Sequence, residues 1–158
     1  MTDARDQSAC WGEFARGQPD LATFGRSRLT EAPAYLATVR KSGAPRVHPV
    51  TPIFTESGLY LFMEPTSPKG RDIRERELFA MHNGVPDNAG TGGEFHVVGR
   101  GFVVEDPAVR SSVAASAGYE PAERYVLFEL HVAEARCNGY GDVRLPTTRA
   151  WVAGPVRS

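Results

Sequence analysis

Cysteine is scarce in this 158-residue chain, and net charge is nearly absent. The two cysteines, Cys10 and Cys137, lie far apart and match no Cys-x-x-Cys metal or redox spacing, so they read as incidental thiols of a reduced, cytoplasmic protein. Eighteen basic residues against 19 acidic ones leave a charge of −1 and a pI near 6.4, which gives no global argument for nucleic acid or an anionic membrane as a partner. No apolar run approaches the ~20 residues that cross a bilayer. The opening "MTDARDQSACWGEF" lacks the basic-then-apolar pattern of a secretory signal. His82, His96 and His131 show no pair at metal-ligand spacing, so structural or surface roles are expected and no metal. No repeat of fixed period occurs.

What is present suits one domain, 1–158, with 41% hydrophobic residues to fill a core. Residues 9–31 carry Trp11, Phe14, Leu21, Phe24 and Leu29 at helical intervals, and Pro19 divides them into two short helices. This N-terminal segment, 1–31, is expected to pack on the strands beyond it. "AYLATVR" (34–40), "RVHPVTPIF" (46–54) and "LYLFM" (59–63) read as a three-stranded antiparallel meander separated by the turns "KSGAP" and "TESG". Pro49 and Pro52 cannot donate to a ladder, so their strand belongs at an edge or is broken by a bulge. Further strands are expected at 78–83, 94–105, 124–136 and 148–154, with a turn-rich hairpin loop at 84–93. Gly99 and Gly101 fall on one strand face and signal bending or close approach of another chain. Asp106 as cap and Pro107 at the first helical position open a short helix. Six or so short strands with few helices point to a small closed barrel rather than a sandwich.

The junction "PTSPKGRDIRER" (65–76) carries the strongest chemical signal. A helix starting there has Ser67 as N-cap, its hydroxyl positioned for a first-turn amide, and Pro68 where no intrahelical donor is needed. The helix start offers free N–H groups and partial positive charge to a phosphate oxygen, and Lys69 adds a full charge. Arg71 and Arg74 extend the patch. Between 40 and 76 the chain has seven Lys or Arg against four acids, a surplus of three in a chain that is otherwise negative. The plainer reading is a surface helix whose arginines pair with Asp72, Glu75 and Glu77.

The stretch "ATVRKSGAPRVHPVTPIFTESGLYLFMEPTSPKGRDIRERELFAMH" resembles the core of the pyridoxamine 5′-phosphate oxidase-like, FMN-binding split-barrel family. A strand with "A-T", a Gly turn, "P-x-V-x-P-V", an apolar strand and then "S-x-K" with a basic helix carry the resemblance. It implies a mainly β fold, a six-stranded split β-barrel of Greek-key, FMN-binding type with short flanking helices. It implies that Arg46, Val47, His48, Pro49, Val50 and Thr51 run along a flavin ring, and that Ser67 and Lys69 bind the FMN phosphate with help from Arg71 or Arg74. Trp151 resembles an aromatic that approaches the ring, often from a partner subunit, and could equally cap the core. A homodimer with the cofactor at its interface is implied.

Vitamin B6 oxidases of the family carry an Arg-Leu-x-Pro-like signature after the C-terminal tryptophan, whereas here "RLP" falls at 144–146, before Trp151. B6 oxidase activity is therefore not expected. The reading is an FMN-dependent oxidoreductase passing a hydride between a small-molecule substrate and flavin N5. No residue compels a general base, and His48 reads as either a sheet residue or an acid. The alternatives are a reductase using the deazaflavin F420, with Arg40, Lys41 and Arg46 facing its acidic tail, or a non-catalytic flavin- or haem-binding protein.

Overall fold

The computed structural model describes residues 7–154. Residues 1–6 and 155–158, the ends of the span read as one domain, lie outside the described residues. Pro19 divides the N-terminal segment as expected, into α1 (Trp11–Gly17) and α2 (Pro19–Thr30). Trp11 sets the packing of this segment, its ring meeting Phe14, Phe54 and Phe95 edge-on at 5.0, 4.8 and 6.2 Å. With Phe14, Leu21 and Leu29 it joins the main core, so the helices close one side of the sheet.

The strands are β1 (Ala34–Val39), β2 (Pro45–Val50), β3 (Ile53–Phe54), β4 (Leu59–Met63), β5 (Leu78–His82), β6 (Glu94–Val104), β7 (Val126–Asn138) and β8 (Ala150–Val152). Helix α3 (Pro68–Arg76) links β4 to β5, and α4 (Pro107–Ser116) links β6 to β7. Strand order is β2-β1-β5-β6-β7-β4-β3, with β8 also on β7. β2 and β3 stand at opposite ends of that order, yet only Thr51 and Pro52 separate them along the chain. From Val50 to Ile53 the backbone reaches at most about 11 Å. The sheet must therefore curl until its two edges meet, which makes a barrel with a seam.

The structure corrects two expectations. The segment 46–54 is two strands, broken at Thr51–Pro52, and the meander is not continuous: β2 pairs only with β1, and β3 only with β4. Proline is the reason, since Pro49 places its strand at the edge and Pro52 ends the ladder. Eight strands lie among the described residues rather than six or so; the one not placed along the sequence comes from the split of 46–54, while the short strand expected at 148–154 is present as β8.

Gly99 and Gly101 do what their spacing suggested. At the bulge between Val98 and Gly99, a Cβ on Gly99 would lie 1.8 Å from the His131 carbonyl oxygen. The bulge shifts the burial phase of β7, from Phe128, Leu130 and Val132 to Ala135 and Cys137. A Cβ on Gly101 would lie 2.6 Å from Ile73 Cγ2 and 3.0 Å from Leu130 Cδ2, because α3 packs directly over β6. Gly101→Ala is expected to cost about 1–3 kcal/mol through overpacking, read as a lower urea midpoint. Asp106 caps α4, accepting from the Ala108 amide at 2.9 Å.

Candidate functional site

Helix α3 begins where β4 leaves the sheet, and its first turn is built as the sequence implied in backbone but not in side chain. Ser67 has extended N-cap geometry (φ −60°, ψ 127°) with Pro68 next. Its hydroxyl, however, bonds no first-turn amide. The Lys69 ammonium donates to Ser67 Oγ at 3.1 Å instead. A charged donor two residues away outcompetes the amide for the same oxygen. The first-turn N–H groups are thus left without a side-chain cap. Ser67 is buried, and Lys69 is half-buried. Burial pushes the Lys69 ammonium below its ordinary pKa, and among the described residues no carboxylate offsets it.

Opposite this turn, β2 supplies Arg46 and His48, whose side chains share one face of the strand. Arg46 is oriented by Asp72, a carboxylate only 4% exposed on the inner side of α3. Asp72 Oδ2 accepts from Thr38 Oγ1 at 2.7 Å and from Arg46 Nε at 2.9 Å, while Oδ1 accepts from an Arg76 terminal nitrogen at 3.2 Å. Arg76 also donates from Nε to the Val39 carbonyl at 2.6 Å. Burial raises the Asp72 carboxyl, but the bonds from Thr38 and the arginines outweigh it and hold the group below its ordinary pKa. Because Asp72 takes the Nε of Arg46, both terminal nitrogens of that guanidinium remain without a protein partner among the described residues. Burial, then the charges of Lys69 and Arg46, push the His48 imidazole below its ordinary pKa, against the pull of Asp72.

The result is a cluster in which two cations and a neutral imidazole converge beside an uncapped helix start, with one carboxylate committed to holding an arginine in place. Such a cluster can receive an anion with several oxygens. β2 contributes backbone as well. Ladder donors alternate along an edge strand, and Pro45 and Pro49 have none, so the outward row of β2 offers a single N–H, that of Val47.

The remaining expected site residues are dispersed. Val50 is buried in the core, and Thr51 lies exposed in the link between β2 and β3. Arg71 and Arg74 are exposed on α3 without an ion pair among the described residues, while Arg76 takes the pairs to Asp72 and Glu75. Trp151 packs on Phe14 at 5.0 Å between ring centres. It lies opposite Ala135 on β7, whereas Met63, just before the cluster, lies opposite Val126. The separation along β7 is about 30 Å. Trp151 therefore stands apart from the cluster in its own chain. Arg149 lies at that same far end, its carbonyl accepting from the Cys137 amide at 2.9 Å.

Sequence reasoning missed Thr38 and Asp72 as the positioning pair for Arg46. It also missed that His82 and His96 are direct cross-strand neighbours, with rings 6.5 Å apart and His82 bonded to Glu94 at 3.0 Å. Only strand register reveals that pair. Among the described residues no three His, Cys, Asp or Glu groups come together to hold a metal ion.

The sequence pattern of the pyridoxamine 5′-phosphate oxidase family matches residues 26–138, from the end of α2 through β7. The chain belongs to that family. No curated protein matches it. Among solved structures, a haem-binding protein from Mycobacterium smegmatis is similar at 17% identity and a TM-score of 0.65, over 86% of this chain and 59% of that one. The chain thus spans less than two thirds of that protein. HutZ, the haem storage protein of Vibrio cholerae, is similar at 16% identity and a TM-score of 0.60, over 78% of this chain and 95% of its own. An F420 reductase is similar at 23% identity and a TM-score of 0.54, over 70% of this chain and 94% of its own. At these identities the likeness is one of fold: the family's split barrel is shared by proteins named for two different ligands, haem and F420.

Proposed function

We propose that the chain is an FMN-dependent oxidoreductase acting on a small molecule, with the FMN phosphate held by Ser67, Lys69 and Arg46 at the start of α3. The observation that carries this reading is Lys69, a desolvated ammonium with no carboxylate partner among the described residues, beside uncapped helix amides. A half-buried ammonium without an ion pair is stabilised when an opposite charge arrives, which supports an anion at this cluster. Val47, His48, Pro49, Val50 and Thr51 follow Arg46 along the chain and lead away from it, as a ring system attached to that phosphate requires. Arg71 adds positive potential from the surface of α3. When bound, FMN supplies the redox chemistry, exchanging a hydride with the substrate at N5.

A second copy of the chain is the partner this reading calls for. Val47, Ala37, Ala80, Val98, Glu134 and Val152 are register neighbours in one row across the outer sheet face. Val47 and Val152 at its ends are 62% and 61% exposed. This mostly apolar band begins on β2 itself, so a homodimer through it sets the cofactor at the subunit boundary. In this reading the aromatic that approaches the ring is Trp151 of the second copy, which in its own chain packs on Phe14.

F420 is the second reading, favoured by the likeness to an F420 reductase and by exposed Arg40 and Lys41 just ahead of β2. The spectrum of the purified protein separates the readings. A yellow dimer that releases FMN on denaturation is expected. A colourless protein that binds F420 instead, or one with a Soret band as the haem-named neighbours suggest, overturns FMN as the cofactor.

A further inference from the structure

The geometry points to a separate binding recess for an uncharged, planar ring compound beside β2, walled by the loop at 84–93. The recess encloses ≈ 490 Å³, within the usual range for small-molecule sites. Its lining is mainly apolar: Ala32, Pro33, Tyr35, Pro49, Val85 and Pro86. Tyr35 and Val85 are 48% and 42% exposed, so each presents substantial apolar surface, and both face this one space. The charges at the rim, Arg28 and Glu31, pair with one another and leave no net charge for an ionic ligand to meet. An aromatic face, prolines on two sides and a neutral rim suit a flat, uncharged ring that stacks on Tyr35, as a quinone does.

The loop wall is built by specific bonds. Asp87 Oδ1 accepts from the amides of Ala89 and Thr91 at 3.0 and 3.1 Å, and Oδ2 from the Thr91 hydroxyl at 2.6 Å. Asn83 ties the neck, donating to the Gly93 carbonyl at 3.2 Å and accepting from the Phe95 amide at 2.9 Å. Gly84, at φ 65°, passes so near Tyr35 that a Cβ would lie 2.9 Å from ring atom Cε2, which sets the loop against one side of the ring. Pro49 belongs both to this lining and to the strand proposed for the coenzyme. The inference therefore deepens the proposed function and rests on it, naming the class of substrate that would stand next to the ring system.

The test uses the full chain with duroquinone, an uncharged, fully substituted quinone that does not alkylate thiols, in equilibrium dialysis. Benzoate serves as the charged comparison. Val85→Asp and Tyr35→Ala are each expected to weaken duroquinone binding tenfold or more, with FMN affinity and the far-UV circular dichroism spectrum unchanged. Benzoate is expected to bind at least tenfold more weakly than duroquinone. Duroquinone affinity that is unchanged in both variants, or benzoate binding as tightly, overturns the recess. If FMN fails to bind while duroquinone binding still responds to both variants, the coenzyme reading falls and the recess stands.

Discussion

Replacing Ser67 and Lys69 together by alanine is expected to lower FMN affinity at least tenfold while leaving the apo-protein as stable as before, or more so. The two halves of that result have one cause. Each charge-assisted bond to phosphate contributes about 1.5–3 kcal/mol, and 1.4 kcal/mol is already a factor of ten in affinity. Without the anion, the same Lys69 ammonium is a partly desolvated cation whose hydrogen-bond partner among the described residues is a hydroxyl. Removing it relieves burial rather than breaking a pair. Ser67 is equally informative, since a true N-cap replaced by alanine costs about 1 kcal/mol. Its hydroxyl bonds no helix amide here, so Ser67→Ala alone is expected to leave the thermal midpoint nearly unmoved. Flavin fluorescence titration and differential scanning calorimetry on the same variants read both quantities. Undiminished FMN affinity in the double variant would sink the phosphate assignment.

Asp72→Ala is expected to produce the opposite pattern, a large loss of stability together with weaker FMN binding. Removing one member of a buried charged cluster strands the others, and a loss of about 3 kcal/mol is expected in urea denaturation. Arg46 and Arg76 lose their common acceptor, and Thr38, 1% exposed, loses the carboxylate that satisfies its hydroxyl. The pH dependence gives a separate signature. The folded-state pKa of Asp72 is depressed, so its contribution is fully present above the unfolded carboxyl value of ~3.9 and is lost as pH falls through the folded value. The wild-type protein should therefore lose stability on acidification more steeply than Asp72→Asn, which has no carboxylate to protonate. Matching acid limbs in the two proteins would remove Asp72 from the account. The FMN arm tests positioning: with Nε released, Arg46 no longer holds its terminal nitrogens toward the cluster, and affinity should fall severalfold even under conditions where Asp72→Asn is fully folded.

Much of the fold was legible because its signals are local. Pro49 and Pro52 declared an edge or a break, Gly99 and Gly101 bending or a close approach, and Asp106 a helix start, each through the conformational limits of one residue. The run "S-P-K" likewise marked the beginning of α3 and the charged end of the candidate site. What was not legible depended on residues distant in the chain. Asp72 reads locally as one more acid on a basic surface helix. It becomes the anchor of Arg46 only because β1 and β2 carry Thr38 and Arg46, 34 and 26 residues away, to its buried side. The fate of the Ser67 hydroxyl was hidden for a subtler reason: sequence supplies the cap's geometry but not the competition between a nearby ammonium and an amide. Trp151 was legible as an aromatic near the end of the chain, while its packing on Phe14 follows from β8 joining β7, which no local pattern announces.

The seam between β2 and β3 also bears on how copies of the chain can meet. A naked sheet margin ordinarily recruits strands from other molecules, the first step toward fibrils and swapped dimers. Here prolines 45 and 49 strip that margin of all but one outward donor, and the short hop at 51–52 leaves no slack for a swap. Strand-to-strand zippering through this margin is thereby disfavoured.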